Sequence, residues 1–247
     1  MKVKETPWEK RNLGVDSSVE FYFEEHDEDV SLDILNDKSH SYQVAHIPVG
    51  KIALLNLLLK NGFQFSETKF ELIADLKDIA LPKIFERFSE EVSYHEANQA
   101  ETEKIYLMMK SGIFSTDKVA LDPYFNAIIA GKRYAYWTED EVNLGRAFIY
   151  MVTEKIEKIT DIGFFVLKKS SDRLGDSFLA GLFNKDSGMG FSVLYFPMIE
   201  AKRMGLRKMI TGVSSNNPDS VKMHLALGYQ IKSMDYTLVK HVGGNAE

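Results

Sequence analysis

The sequence predicts an α/β protein: a mixed central sheet with flanking helices, in two similar units of which the first is incomplete. Three observations predict it. Runs of β-formers alternate with helix-period runs, helices end at glycine just before new strands, and the stretch closing near residue 73 recurs near residue 239.

In order, residues 17–23 (SSVEFYF) and 42–47 (YQVAHI) cluster β-formers and read as strands. A helix over 49–61 follows Pro48 and stops at Gly62, and 63–73 (FQFSETKFELI) alternates as the next strand. Residues 76–109 are charged and poor in glycine, which reads as a helical connector. Helices are expected near 122–130 and 140–154, and strands near 162–169 and 177–183. The turn 185–190 (KDSGMG) then opens a helix over 191–204, in which Pro197 should cause a kink. A strand over 208–213 leads to Asn217, which can cap a helix beginning at Pro218 and ending at Gly228. Residues 229–240 alternate as the closing strand.

An offset of 166 places Gly62 on Gly228, Leu55 on Val221, Leu59 on Leu225, Phe70 on Tyr236 and residues 42–46 on 208–212. Gly188, Gly190 and His224 fall on Tyr22, Glu24 and Leu58, so the chemistry of the second unit is absent from the first. The expected division is a degenerate unit over 1–92 and a catalytic unit over 93–247.

The chain has 247 residues, 45% hydrophobic and 27% charged, with net charge −6. This is an ordinary globular composition. The acidic balance argues against nucleic acid, because no basic excess is present to release counterions from a phosphate backbone. The charged opening segment and the lack of any apolar run near the roughly 20 residues of a membrane span argue for a cytoplasmic protein with no membrane partner. No cysteine is present, and the six histidines show no metal-ligand spacing, so neither thiolate chemistry nor a metal is expected. Phosphate-loop, dinucleotide-binding and nucleophile-elbow motifs are absent as well.

Two glycines one residue apart before a helix let the backbone approach a ligand and aim helix-start N–H groups at an anion such as a pyrophosphate. That block, K-D-S-G-M-G, is followed by a strand and then by N-P-D-S-V-K-M-H-L-A-L-G-Y over 217–229. Together they resemble the second half of the GNAT superfamily of acetyl-coenzyme A dependent N-acyltransferases. That superfamily shows Q/R-x-x-G-x-G/A opening a helix and then N-x-x-A-x-x-x-Y-x-x-x-G-F. Lys185 stands here for Gln or Arg, and His224 for the Tyr that often serves as general acid. Trp8, Asn12-Leu13-Gly14, the stretch 114–125 and Lys132-Arg133-Tyr134 before Trp137 are similar to the TDP-fucosamine acetyltransferase group.

The resemblance implies acetyl-CoA as cofactor and direct transfer to a small-molecule amine, namely the 4-amino group of a nucleotide-linked amino sugar. It implies that Lys185, Gly188, Met189 and Gly190 hold the pyrophosphate and that Ala180, Leu182 and Phe183 line up the pantetheine. Asn217 would orient the coenzyme, and His224 would protonate the departing thiolate. At a reference pKa of about 6.5, roughly a quarter of His224 carries the needed proton at pH 7. Arg133 and Trp137 are the expected substrate contacts. The general base stays open among Asp117, Asp122, Glu139, Asp140 and Asp161, and a homodimer stays open as the assembly. Two alternatives remain: a GNAT enzyme for another amine, amino acid or peptide, and a non-catalytic protein that binds coenzyme A.

Overall fold

The computed structural model describes residues 1–27, 37–155, 158–184 and 188–243. The strands are β1 (Lys2–Glu5), β2 (Ser18–Tyr22), β3 (Tyr42–Pro48), β4 (Gln64–Asp75), β5 (Val92–Glu96), β6 (Ala147–Lys155), β7 (Ile159–Lys169), β8 (Leu174–Leu182), β9 (Lys208–Ser214) and β10 (Gln230–His241). The helices are α1 (Glu9–Leu13), α2 (Ile52–Lys60), α3 (Lys83–Glu86), α4 (Gln99–Lys110), α5 (Ala127–Asn143), α6 (Gly190–Arg203) and α7 (Pro218–Ala226). All ten strands form one mixed sheet in the order β1-β2-β3-β10-β4-β9-β8-β7-β6-β5.

The internal repeat is visible in the element bounds. Moving β3, α2 and β4 by 166 positions gives β9, α7 and β10, residue for residue at every boundary. Both helices stop at a glycine in the left-handed region, Gly62 at φ 86° and Gly228 at φ 92°, where a side chain would be strained. The closing strands are exchanged between units. β10 lies between β3 and β4 of the first unit, and β4 lies between β10 and β9 of the second.

Apolar clusters close both faces of the sheet. On one face α6 packs Phe191, Val193, Met198 and Ala201 on Phe165 and Leu167, while α2 packs Leu54 and Leu58 on Ala45 and Ile47. On the other, α4 and α5 cover Met151 and Phe164 at one end, and Leu13 with Phe125 covers Tyr42 and Val44 at the other. The middle of that second face is polar. It forms the floor of the site described below.

Three expectations are corrected. The helical connector contains strand β5, which pairs with β6 along one side only. The segment expected as a helix over 140–154 is largely β6, whose Ile149 to Val152 are buried and rich in β-formers, so the strand shows no alternation. The helix placed near 122–130 begins only at Ala127, where the Asn126 side chain accepts from the Ile129 N–H at 2.9 Å. β1 was not anticipated. Helix α6 runs through the buried Pro197. No helix among the described residues is long and apolar enough to cross a membrane.

Candidate active site

β8 and β9 are parallel but pair only over Leu174–Asp176 against Lys208–Ile210. The last tie is Thr211 Oγ1, which donates to the Ser177 carbonyl at 2.9 Å. Beyond it both strands continue unpaired to each other, to Leu182 and Ser214. A bulge helps to turn the strand edge: β7 pairing steps from Ser177 to Leu179 and leaves Phe178 without a partner. The gap holds a cavity of about 140 Å³ walled by Ser177, Leu179, Ala180, Thr211, Asn217 and His224.

Around this gap the structure brings together most of the residues singled out for the coenzyme. Ala180 and Leu182 pair with β7 on the part of β8 that has no pairing with β9, and Phe183 follows, its N–H donating to the Ile162 carbonyl at 2.9 Å. Gly188 has φ 72°, Met189 occupies the cap of α6 with no side-chain cap bond, and Gly190 is the first helical residue. A Cβ on Gly190 would meet nothing closer than Leu182 Cδ1 at 3.7 Å. Among the described residues nothing crowds Gly190 at this helix start, and the positive end of the dipole lies there. Lys185 lies outside the described residues.

Asn217 caps α7, its Oδ1 accepting from the Ser220 N–H at 3.2 Å. Two turns on, His224 is 3% exposed, and its Nδ1 lies 2.8 Å from the Ser220 carbonyl. A carbonyl only accepts, so Nδ1 carries the hydrogen in the neutral ring. Nε2 then holds the lone pair, buried and without a hydrogen-bond partner. Burial lowers the His224 pKa, the bond to Ser220 opposing it. The expected quarter protonation at pH 7 is thus reduced, and the resting imidazole is an acceptor.

Beside the gap lies a larger cavity of about 940 Å³. The two share Asp117, Tyr134, Phe178, Leu179, Gly212 and Ser214 as walls. Arg133 and Trp137 line the larger one. Arg133 spends its guanidinium on Glu9, donating from Nε at 3.0 Å and from Nη2 at 2.6 Å. Trp137 meets the Phe178 ring edge-on at 4.6 Å. Of the candidate bases, Asp117 accepts the Tyr134 hydroxyl, while Asp122 caps a turn and meets His241, and Asp140 pairs with Arg11. Asp161 pairs with Lys104 on the surface.

Two carboxylates of this cavity whose pKa burial raises are not singled out by the sequence. Asp176 sits where β8 and β9 part, and burial raises its pKa to about 6. Glu67 on β4 is 4% exposed with its pKa raised by burial. Neither stands in a motif. Only its place beside the splayed strands distinguishes Asp176.

The parted parallel strands, the bulge and the uncapped glycine-led helix define the fold of the GCN5-related N-acetyltransferases. A GCN5-related N-acetyltransferase from Sphaerobacter thermophilus superposes with TM-score 0.66 at 11% identity, covering 99% of this chain and 78% of that one. A tandem GNAT protein of the clavulanic acid biosynthesis pathway gives 0.51 at 11% identity over 83% of this chain and 66% of that one. A glucosamine N-acetyltransferase region of a fungal multi-domain GH3 β-N-acetylglucosaminidase gives 0.58 at 14% identity, covering 84% of this chain and 26% of that one. No family model matches the sequence, and no curated protein does.

Proposed function

We propose that the chain is an acetyl-CoA-dependent N-acetyltransferase whose acceptor is the amino group of a nucleotide-linked amino sugar, the second unit carrying the chemistry. One observation carries the reading: the gap between β8 and β9, with the glycine-led helix start beside it, shares six wall residues with a cavity large enough for a whole acceptor. Acetyl-CoA, when bound, supplies the acyl group as a thioester.

The chain's own residues divide the remaining work. Helix-start N–H groups around Gly188, Met189 and Gly190 bind a pyrophosphate, and the free edge of β8 at Ala180 and Leu182 pairs with an extended amide chain. Main-chain N–H groups beside the Phe178 bulge face developing negative charge on a carbonyl oxygen. Asp176, with a pKa near 6, is mostly ionised at pH 7 and takes the proton that an incoming ammonium must lose. His224 offers a lone pair at Nε2, so it takes the second proton, the one the attacking nitrogen sheds as the amide forms, and hands it to the leaving sulfur. This makes it a relay rather than a resident acid.

The cavity's size and its aromatic Tyr22 and Trp137 favour a nucleotide sugar. A second reading has its own observation. Arg133, Lys118, Lys168 and Arg146 all carry carboxylate partners, which leaves Lys4 and Lys69 as the cavity cations without an ion pair among the described residues. That balance suits a hydroxylated amine bearing little phosphate.

Acetylation assays with a TDP-linked 4-amino-4,6-dideoxy sugar, glucosamine, an amino acid and a polyamine test both. Turnover highest with the nucleotide sugar supports the first reading, and highest with glucosamine the second. Coenzyme binding without any turnover leaves a non-catalytic protein.

A further inference from the structure

The larger cavity extends past the parted strands over the first unit, where Tyr22 on β2, His46 on β3 and Glu67 on β4 line it. His46 on β3 pairs with Thr237 on β10, and Thr237 pairs in turn with Glu67 on β4. Directly paired antiparallel residues point to the same face, so the three side chains form a continuous row. They are 7%, 0% and 4% exposed, and His46 and Glu67 line the cavity on either side of Thr237. Each holds a buried polar atom with no hydrogen-bond partner among the described residues, His46 Nε2, Thr237 Oγ1 and Glu67 Oε2, although the Ser214 hydroxyl stands near enough to the Glu67 carboxylate to lower its pKa. The nearest carboxylate to His46 Nε2 is that of Glu20, at 4.0 Å. Buried polar groups are normally satisfied, and three adjacent exceptions beside a cavity call for a ligand.

We propose that this row is a subsite for a hydroxyl-bearing, sugar-like body, which rests on the transferase reading only in taking that body to be part of the acceptor. Hydroxyl groups fit all three members because each hydroxyl both donates and accepts. The Glu67 carboxylate accepts, the Thr237 hydroxyl does either, and the imidazole of His46 offers a donor or an acceptor according to its tautomer. A phosphate, which only accepts, is repelled by Glu67. A bare ammonium, which only donates, leaves the hydroxyl and the imidazole half used.

The outer strands of the row are two spacings apart, roughly 10 Å, which suits a ring with hydroxyls on both sides. Tyr22 stacks on His46 with ring centroids 4.6 Å apart and lines the same cavity, adding an apolar face beside the polar row. Asp176 lies two strands beyond Glu67, across β9. The row therefore reads the acceptor away from its reacting nitrogen. His46 and Glu67 come from the unit that lacks the coenzyme motifs, and Thr237 from the strand that the second unit places between them.

Saturation-transfer NMR on the full chain tests this with methyl glucoside, glucosamine and cyclohexylamine as probes. Both sugars should respond with the wild type and lose about fivefold or more in affinity with Thr237→Val, His46→Phe or Glu67→Gln, on the scale of one lost hydrogen bond. Cyclohexylamine, which has no hydroxyl, should not change. Thr237→Ser should retain the sugar response, which separates a lost hydroxyl from a disturbed fold. Equal sugar binding by wild type and variants, or none by the wild type, overturns the subsite. If calorimetry finds no acetyl-CoA binding while the sugar response still depends on the row, the transferase reading fails and the subsite stands.

Discussion

Lys69 and Asp235 face each other as partners across β4 and β10, and each is the other's equivalent at the 166-residue offset. A residue paired with its own counterpart lies on a two-fold axis. The neighbouring pairs agree: Phe70 with Val213 is matched by Tyr236 with Ile47, and Met234 with Phe70 by Tyr236 with Thr68. Even the bulges mirror each other, falling at Ser233 beyond Ile231 and at Glu67 beyond Phe65.

Because each closing strand completes the other unit, neither unit should fold alone. The full chain should unfold in one cooperative transition, and fragments 1–92 and 93–247 expressed apart should each lack a native near-UV signal. An independently melting 93–247 fragment would contradict the exchange.

Asp176 is held at a pKa near 6 by burial, so two consequences follow. As a base it should give kcat/KM an acid limb near pH 6, and Asp176→Asn should remove that limb and cost about 10²- to 10⁴-fold in rate. A folded-state pKa above the unfolded one means that the stabilising, protonated form is fully present below about pH 3.9 and is lost as pH rises through 6. The same variant should therefore raise stability at pH 7, by roughly 2 kcal/mol. Rate and stability profiles measured together check both signs.

The Arg133–Glu9 pair, at 2.6 Å and almost wholly buried, fastens α1 to α5. Arg133→Ala leaves the Glu9 carboxylate buried and alone, which should cost about 3 to 5 kcal/mol in urea denaturation. A variant of unchanged stability but weakened acceptor binding would return Arg133 to the substrate.

The repeat was legible because its signals are local: a glycine after a helix, a capping Asn217 before Pro218, and β-formers on either side. The offset of 166 then carried β3, α2, β4 and their mates together. Strand exchange was not legible, since pairing partners lie some 150 residues apart and leave no mark on either segment. β5 failed because it is an edge strand with only Val92 buried, and β6 failed because burial on both faces erased its alternation. The proposed coenzyme side of the site sits on a motif, so sequence can single it out. The proposed acceptor side is assembled from single residues of β2, β3, β4, β8 and β10, and sequence order gives no reason to join Glu67 to Asp176.

The central claim is that the gap between β8 and β9, with the helix start at Gly190, holds acetyl-CoA. Calorimetry of acetyl-CoA with the wild type and Gly190→Glu tests it most directly, because among the described residues an added Cβ meets only Leu182 Cδ1 at 3.7 Å while the carboxylate falls where the pyrophosphate should lie. The account predicts micromolar binding to the wild type and a loss of about 100-fold or more in the variant, at unchanged melting temperature. Equal affinities in the two proteins, or no binding to the wild type at millimolar ligand, would contradict it.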